Sequence, residues 1–247
     1  MNLFADAIAW LVDPANWTGA GSIPQRTFEH LWISALVLVI AAVIALPLGG
    51  LVGHTGRGRE PAVMVSGGLR ALPTLGVLTL FALWLGIGLQ APVIALVILA
   101  IPPLLAGAYA GFESVDRRTI DAARAMGMRE GQIVGKVELP LSMPIVVGGI
   151  RSATLQIIAT ATLAAYVSNF GLGRFIFEGL KTRDYGQMLG GSILVIVLAL
   201  VVDGAFAITQ RLVVPAGVRA VRTAEPRSEP TRPRAIVGQP ITEGNQE

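Results

Sequence analysis

The sequence contains no cysteine, which excludes a disulfide, a thiolate metal ligand and a thiol nucleophile. It has two histidines, His30 and His54, at opposite ends of one apolar stretch and too far apart for a helical metal pair. No G-x-x-x-x-G-K-[ST] run occurs; Lys136 and Lys181 both lack that context, so hydrolysis of ATP by a P-loop is excluded. No nucleophile, base and orienting acid form a set. Neither catalysis on this chain nor a metal or cofactor is expected. Charge is also scarce: 14% of the residues are Asp, Glu, Lys or Arg, against about 25% in soluble domains.

What fills the 247 residues is apolar: 53% are hydrophobic and the mean hydropathy is +0.65. Residues 31–53 carry no charge and are long enough for a bilayer, which needs about 20 residues. Pro47 lies near the end of this run. Residues 54–60 read as a short polar turn. Residues 71–112 are again uncharged, and the Gly-rich run 85–92 divides them into two helices. The first is expected to begin near Ala62 with a kink at Pro73, the second to run over 92–112 with Pro102 and Pro103 inside. Further spans are expected over 142–167 and 186–211. The fold class is therefore all-α, a polytopic membrane protein of about five transmembrane helices. At this length one membrane domain is expected, without an added soluble domain.

The ends differ from the middle. Residues 1–28 do not read as a signal peptide, since Asp6 and Asp13 interrupt the apolar run and no Lys or Arg precedes it. Phe4, Ile8, Trp10 and Leu11 suit a short amphipathic helix at the lipid interface, and that segment is expected outside. The membrane domain is expected over 29–213. Residues 214–247 are rich in Arg, Pro, Glu and Thr and are expected to form a disordered cytoplasmic tail.

Basic residues orient the chain. The 54–60 turn, the 113–136 stretch and the tail hold thirteen Lys and Arg, whereas Arg26, Arg174, Lys181 and Arg183 are the four on the other side. The positive-inside rule places the 113–136 stretch and the C-terminus in the cytoplasm and the N-terminus outside. The high pI of about 9.8 is thereby explained without nucleic acid.

Within the charged stretch 113–136, the 116–136 loop is the part of the chain equipped to meet a soluble partner. Asp116 is a helix N-cap, its carboxylate accepting first-turn N–H groups. Ile120, Ala123, Gly127 and Val134 fall on one helical face. Ala122, Ala123 and Ala125 keep the helix slim, Gly127 favours a bend, and Pro140 suits the first turn of the next helix. The expected shape is helix, bend, helix, then return to the membrane. Two intramembrane charges also attract notice. Arg151 lies eleven residues past Pro140 and Asp203 eight before Arg211, depths of roughly 17 and 12 Å on antiparallel helices. Since a lone charge is costly in lipid, an Arg151–Asp203 ion pair is expected.

The stretch resembles the EAA coupling motif of ABC importer permeases: Glu-Ala-Ala, three residues, Gly, nine residues, Ile, one residue, Leu-Pro. Here Asp121-Ala122-Ala123, Gly127, Val137 and Leu139-Pro140 stand at that spacing, with Asp for Glu and Val for Ile. Residues 69–75, 159–165 and 171–176 are similar to stretches of the osmoprotectant (glycine betaine, choline, carnitine) subfamily, from which Ser168-Asn169-Phe170 departs. The resemblance covers about residues 28–213. It implies a type I ABC importer permease in the bacterial cytoplasmic (inner) membrane, whose Asp121, Ala122, Ala123, Gly127, Val137, Leu139 and Pro140 couple to ABC ATPase subunits. It also implies a second permease subunit, the same or homologous, and an extracytoplasmic substrate-binding protein. Substrate-contacting residues are not identified. Methionine permeases share the short core and the motif and form the nearest rival, followed by a secondary transporter and a docking scaffold.

Overall fold

In the computed structural model residues 2–213 are described, and among them every regular element is a helix. α1 (Leu3–Val12) and a 3-10 turn (Pro14–Trp17) lead into α2 (Ile23–Thr55). At 33 residues, α2 is roughly 50 Å long, well beyond a hydrocarbon core of about 30 Å. The charge-free run 31–53 is thus its middle, and polar residues stand at both ends. Gly56 closes it with φ +67, its N–H bonding to the Val52 carbonyl. The boundary expected at residues 28 and 29 falls inside this helix.

The expected polar turn is shorter than 54–60, because His54 and Thr55 belong to α2 and α3 (Arg59–Ala71) already begins at Arg59. The helix expected near Ala62 is two helices rather than one kinked helix: α3 and α4 (Thr74–Leu85) meet at 84°. Proline is the cause. Pro73 has no N–H, and its ring forces Leu72 into extended backbone, φ −69 and ψ 130. Gly86 and Gly88, both with positive φ, separate α4 from α5 (Gln90–Glu113), which continues through Pro102 and Pro103. After α6 (Arg117–Ala125) and α7 (Glu130–Ile133), a π-helical turn (Val134–Glu138) passes directly into α8 (Leu139–Ala161). A 3-10 turn (Thr162–Tyr166), α9 (Gly173–Thr182) and α10 (Tyr185–Val213) complete the described chain. The tail expected from residue 214 onward lies outside the described residues.

Among the described residues four helical stretches are long and apolar enough to cross a membrane, and the bent α3–α4 pair, taken as one span, makes a fifth. α5 occupies the centre, packed on α2 and α8. Small residues allow the approach: a Cβ built on Gly107 would lie 2.7 Å from the Cα of Gly149 on α8. Close backbone packing of this kind is what joins helices in lipid, where apolar burial supplies little. Val37, Ala41, Ala45, Leu96, Leu104, Ala153 and Ile157 form the core between these three helices.

α1 does not lie alone at an interface. Trp10 stands edge-on to Phe175 at 5.0 Å and presses on Gly190 of α10, while Phe4 and Ile8 stay exposed. The amphipathic face is used for packing on α10 because glycine leaves a socket there for an indole.

Candidate functional site

The hairpin between α5 and α8 is built by local rules. The Asp116 carboxylate accepts the Arg118 N–H at 2.9 Å and starts α6. Gly127 has φ +81 and ends it. The Met128 N–H bonds to the Ala123 carbonyl at 3.2 Å and the Gly127 N–H to the Arg124 carbonyl at 2.9 Å, the paired bonds of a Schellman cap. α7 then turns back. The π-helical turn follows because Pro140 cannot donate a backbone bond and its ring crowds the carbonyl four residues earlier; widening the helix relieves both.

Val115, Ile120, Ala123 and Ile133 are buried together, with Met128 and Val137 against them. This corrects the face read from the sequence: Ile120 and Ala123 point inward, but Gly127 is exposed at the turn and Val134 only partly covered. The period-based face failed because the chain reverses at Gly127, so Ile133 returns to the cluster from the second arm. Ala123 therefore serves the hairpin's interior, and the slim outward surface comes from Ala122 and Ala125. Of the other motif residues, Asp121, Gly127, Leu139 and Pro140 are exposed and Val137 is partly buried.

Met126 was missed by sequence reasoning. It is 76% exposed on the tip beside Ala122, Ala125 and Gly127. An apolar tip on a charged hairpin is a surface that water does not favour and a partner's groove does. Around it, Arg124 joins Glu130 through two hydrogen bonds of 2.8 and 3.2 Å and Asp121 at 3.2 Å. The Glu130 bond, more than Asp121, holds the Arg124 guanidinium above its ordinary pKa.

Two groups of polar contacts lie far from the hairpin tip. The structure brings Arg151 of α8 and Asp203 of α10 together through paired bonds, Nε to Oδ1 and Nη2 to Oδ2, both 2.6 Å. At the other end of α2, Arg26 donates to the Asn169 carbonyl at 2.7 Å and to its Oδ1 at 3.0 Å. Glu29 accepts the Gly171 N–H at 3.0 Å. His30, fully buried, accepts the Leu172 N–H at Nδ1 and donates from Nε2 to the Ile158 carbonyl, at 3.3 and 2.9 Å. Ile158 precedes the 3-10 turn that ends α8, so the imidazole satisfies a carbonyl at that change of helix type. The loop 168–172, which includes the residues departing from the subfamily pattern, is thereby clamped to α2. No local pattern announces these partners, which lie 128 to 143 residues away.

The fold and the hairpin define a class: a polytopic helical membrane protein that presents one compact, charged helical hairpin with an apolar tip. Comparison with known proteins specifies it. Residues 45–215 match the family described as binding-protein-dependent transport system inner membrane component. The chain is 31% identical over 205 residues to the choline transport system permease protein OpuBB of Bacillus subtilis (strain 168), covering 83% of this chain and 94% of that one. It is 35% identical over 197 residues to the carnitine transport permease protein OpuCB of Listeria monocytogenes, covering 80% and 90%. Among solved structures, an inward-facing form of the MetNI methionine ABC transporter matches with a TM-score of 0.71 at 22% identity, covering 82% of this chain and 99% of that one. The chain belongs to the family of binding-protein-dependent transport system inner membrane components, and it is a multi-pass permease subunit of an ABC importer with the type I fold. That family membership implies a bilayer setting and ABC ATPase partners.

Proposed function

We propose that this permease carries a quaternary ammonium osmoprotectant of the glycine betaine, choline and carnitine class, inward and at the expense of ATP hydrolysed by its partners. The observation that carries the substrate class is the relatives' stated cargo, choline and carnitine, in proteins aligned over nearly their whole length. The likeness to a methionine transporter concerns the fold and does not bear on cargo.

In this reading the hairpin docks on the ATPase. Asp121, Ala122, Gly127 and Met126 meet the partner, whereas Ala123 and Val137 keep the hairpin compact and Leu139-Pro140 set its junction with α8. Two permease subunits, identical or homologous, pair about a two-fold axis, and an extracytoplasmic binding protein delivers the solute. In the same reading the hairpin faces the cytoplasm and the N-terminus faces outward, which the distribution of Lys and Arg supports. The chain contributes no chemistry; its work is to convert closure of the ATPase pair into alternating exposure of the path. A rigid lever is required for that, and the buried cluster of Ile120, Ala123 and Ile133 supplies the stiffness.

The test is uptake of labelled glycine betaine, choline, carnitine and methionine in cells lacking other osmolyte importers, with the ATPase and binding protein co-expressed. A Cβ at residue 127 meets no atom within 4 Å, but φ +81 strains any L side chain there; the strain is confined to an exposed turn, so Gly127→Asp is expected to insert normally and to abolish quaternary amine uptake. Methionine uptake alone would overturn the substrate class. Normal uptake by Gly127→Asp at normal expression would overturn the docking role.

A further inference from the structure

α2 reaches the hairpin at His54. The His54 Nδ1 lies 2.6 Å from Oε2 of Glu138, and its Nε2 lies 3.4 Å from Oε2 of Glu130. Glu130 is held by Arg124, and Arg124 by Asp121. Polar and charged side chains thus run in series from the first motif acid on α6, through α7, to the end of α2 and on to the π-helical turn. Glu138 closes the series from inside: its side chain is 1% exposed, and its Oε1 has no protein partner.

A buried carboxylate paired with an imidazole is a poor device for stability, since an apolar pair of similar volume does as well or better. It is a good device for geometry, because a short charge-assisted bond tolerates little displacement. The surroundings need such a device. A cavity of about 440 Å³ opens between α2, α5 and α8 beside His54, bordered by Pro47, Leu51, Met143 and Val146. Apolar packing between α2 and the start of α8 is incomplete there. Among the described residues His54 makes the only side-chain polar contacts between this end of α2 and the hairpin. The hairpin is joined to α8 covalently, through an unbroken helical path; to α2 it is joined by His54.

We propose that His54 and Glu138 are positioning residues that hand the hairpin's movement to α2, so that α2 and α8 move as one body when the ATPase pair closes. The proposal rests on the docking role argued above. Without the link the hairpin would still dock and turn α8, but α2 would lag behind, and ATP would be hydrolysed without transport.

The decisive variant is the double substitution His54→Leu/Glu138→Leu. It removes both polar groups together and leaves no buried carboxylate without a partner. The importer, with its ATPase and binding protein, is reconstituted in liposomes, and glycine betaine uptake is measured per ATP hydrolysed. The expected result is normal assembly and hydrolysis, an unchanged apparent KM for the solute, and a fall in uptake per ATP of about tenfold, in the range of couplings between distant sites. Partial rescue is expected in His54→Gln, whose amide can still donate to Glu138. An uptake ratio within about twofold of the unsubstituted protein, taking twofold as a coupling too small to count, overturns the proposal and leaves the pair a packing feature. Should the double variant not insert, the same ratio in His54→Phe/Glu138→Gln, which keeps the volume, lacks the imidazole and leaves no buried carboxylate, decides: a ratio equal to that of the unsubstituted protein overturns the proposal, and a reduced one supports it. Failure of the docking role itself shows separately, as transport by Gly127→Asp.

Discussion

His30 offers the sharpest test of how α2 fixes the outer end of the domain. Its imidazole is fully buried and serves two backbone groups, the Ile158 carbonyl and the Leu172 N–H. In His30→Ala both groups lose their partner, and each unsatisfied buried group costs about 1–3 kcal/mol. The emptied imidazole volume adds to the loss, but a water can enter a polar cavity and offset part of it. A net destabilisation of about 3 kcal/mol follows, near a hundredfold in the folded-to-unfolded ratio. His30→Phe refills the volume and satisfies neither group, so it should be no better than His30→Ala. His30→Gln, which can both donate and accept, should recover part of the loss. The assay is the midpoint of denaturation in mixed micelles, with hydrogen exchange at Leu172 as the local readout. The reasoning is refuted if His30→Phe equals the unsubstituted protein, because volume and not hydrogen bonding would then explain the burial.

Two further outcomes are expected. Asp203→Asn and Arg151→Gln should each lower the amount of inserted permease on membrane fractionation, and Arg151→Leu/Asp203→Leu should restore it; no recovery in the double variant would show that the two charges act separately. Gly149→Leu should disrupt the α5–α8 crossing, since even a Cβ there meets the Gly107 backbone at 2.7 Å. Its expected cost is about 1–3 kcal/mol or more, read as a lowered denaturation midpoint, and Gly148→Leu, whose nearest neighbour is the flexible Gln210 side chain, should cost less.

Features set by composition or by fixed spacing were legible in the chain. The charge-free runs marked the spans, Gly86 and Gly88 marked the α4–α5 break, and Asp116, Gly127 and Pro140 marked the cap, the reversal and the junction of the hairpin. Each acts on its immediate neighbours, so each can be read locally. Features set by distant partners were not legible. The single helical face drawn through Ile120, Ala123, Gly127 and Val134 ignores that a Schellman turn swings Ile133 back onto the first arm. The packing of Trp10 depends on a socket at Gly190, far along the chain. His30 and His54 read from the sequence only as an absent metal pair. Their partners lie on α8 and its flanking turns, where the sequence shows an ordinary Ile158 and Glu138. Pro73 reads as a kink in one helix, although a proline that forces its predecessor into extended backbone can end a helix outright.

The central claim is that the hairpin tip sits in the ATPase. The absence of cysteine makes a direct measurement clean: Met126→Cys supplies one thiol on the exposed tip, to be cross-linked by a short bifunctional reagent in membranes containing the assembled importer. The account predicts an adduct with the ATPase subunit from Met126→Cys, altered in yield by ATP, and none from Arg174→Cys at the opposite end of the domain. An ATPase adduct from Arg174→Cys with none from Met126→Cys would contradict it.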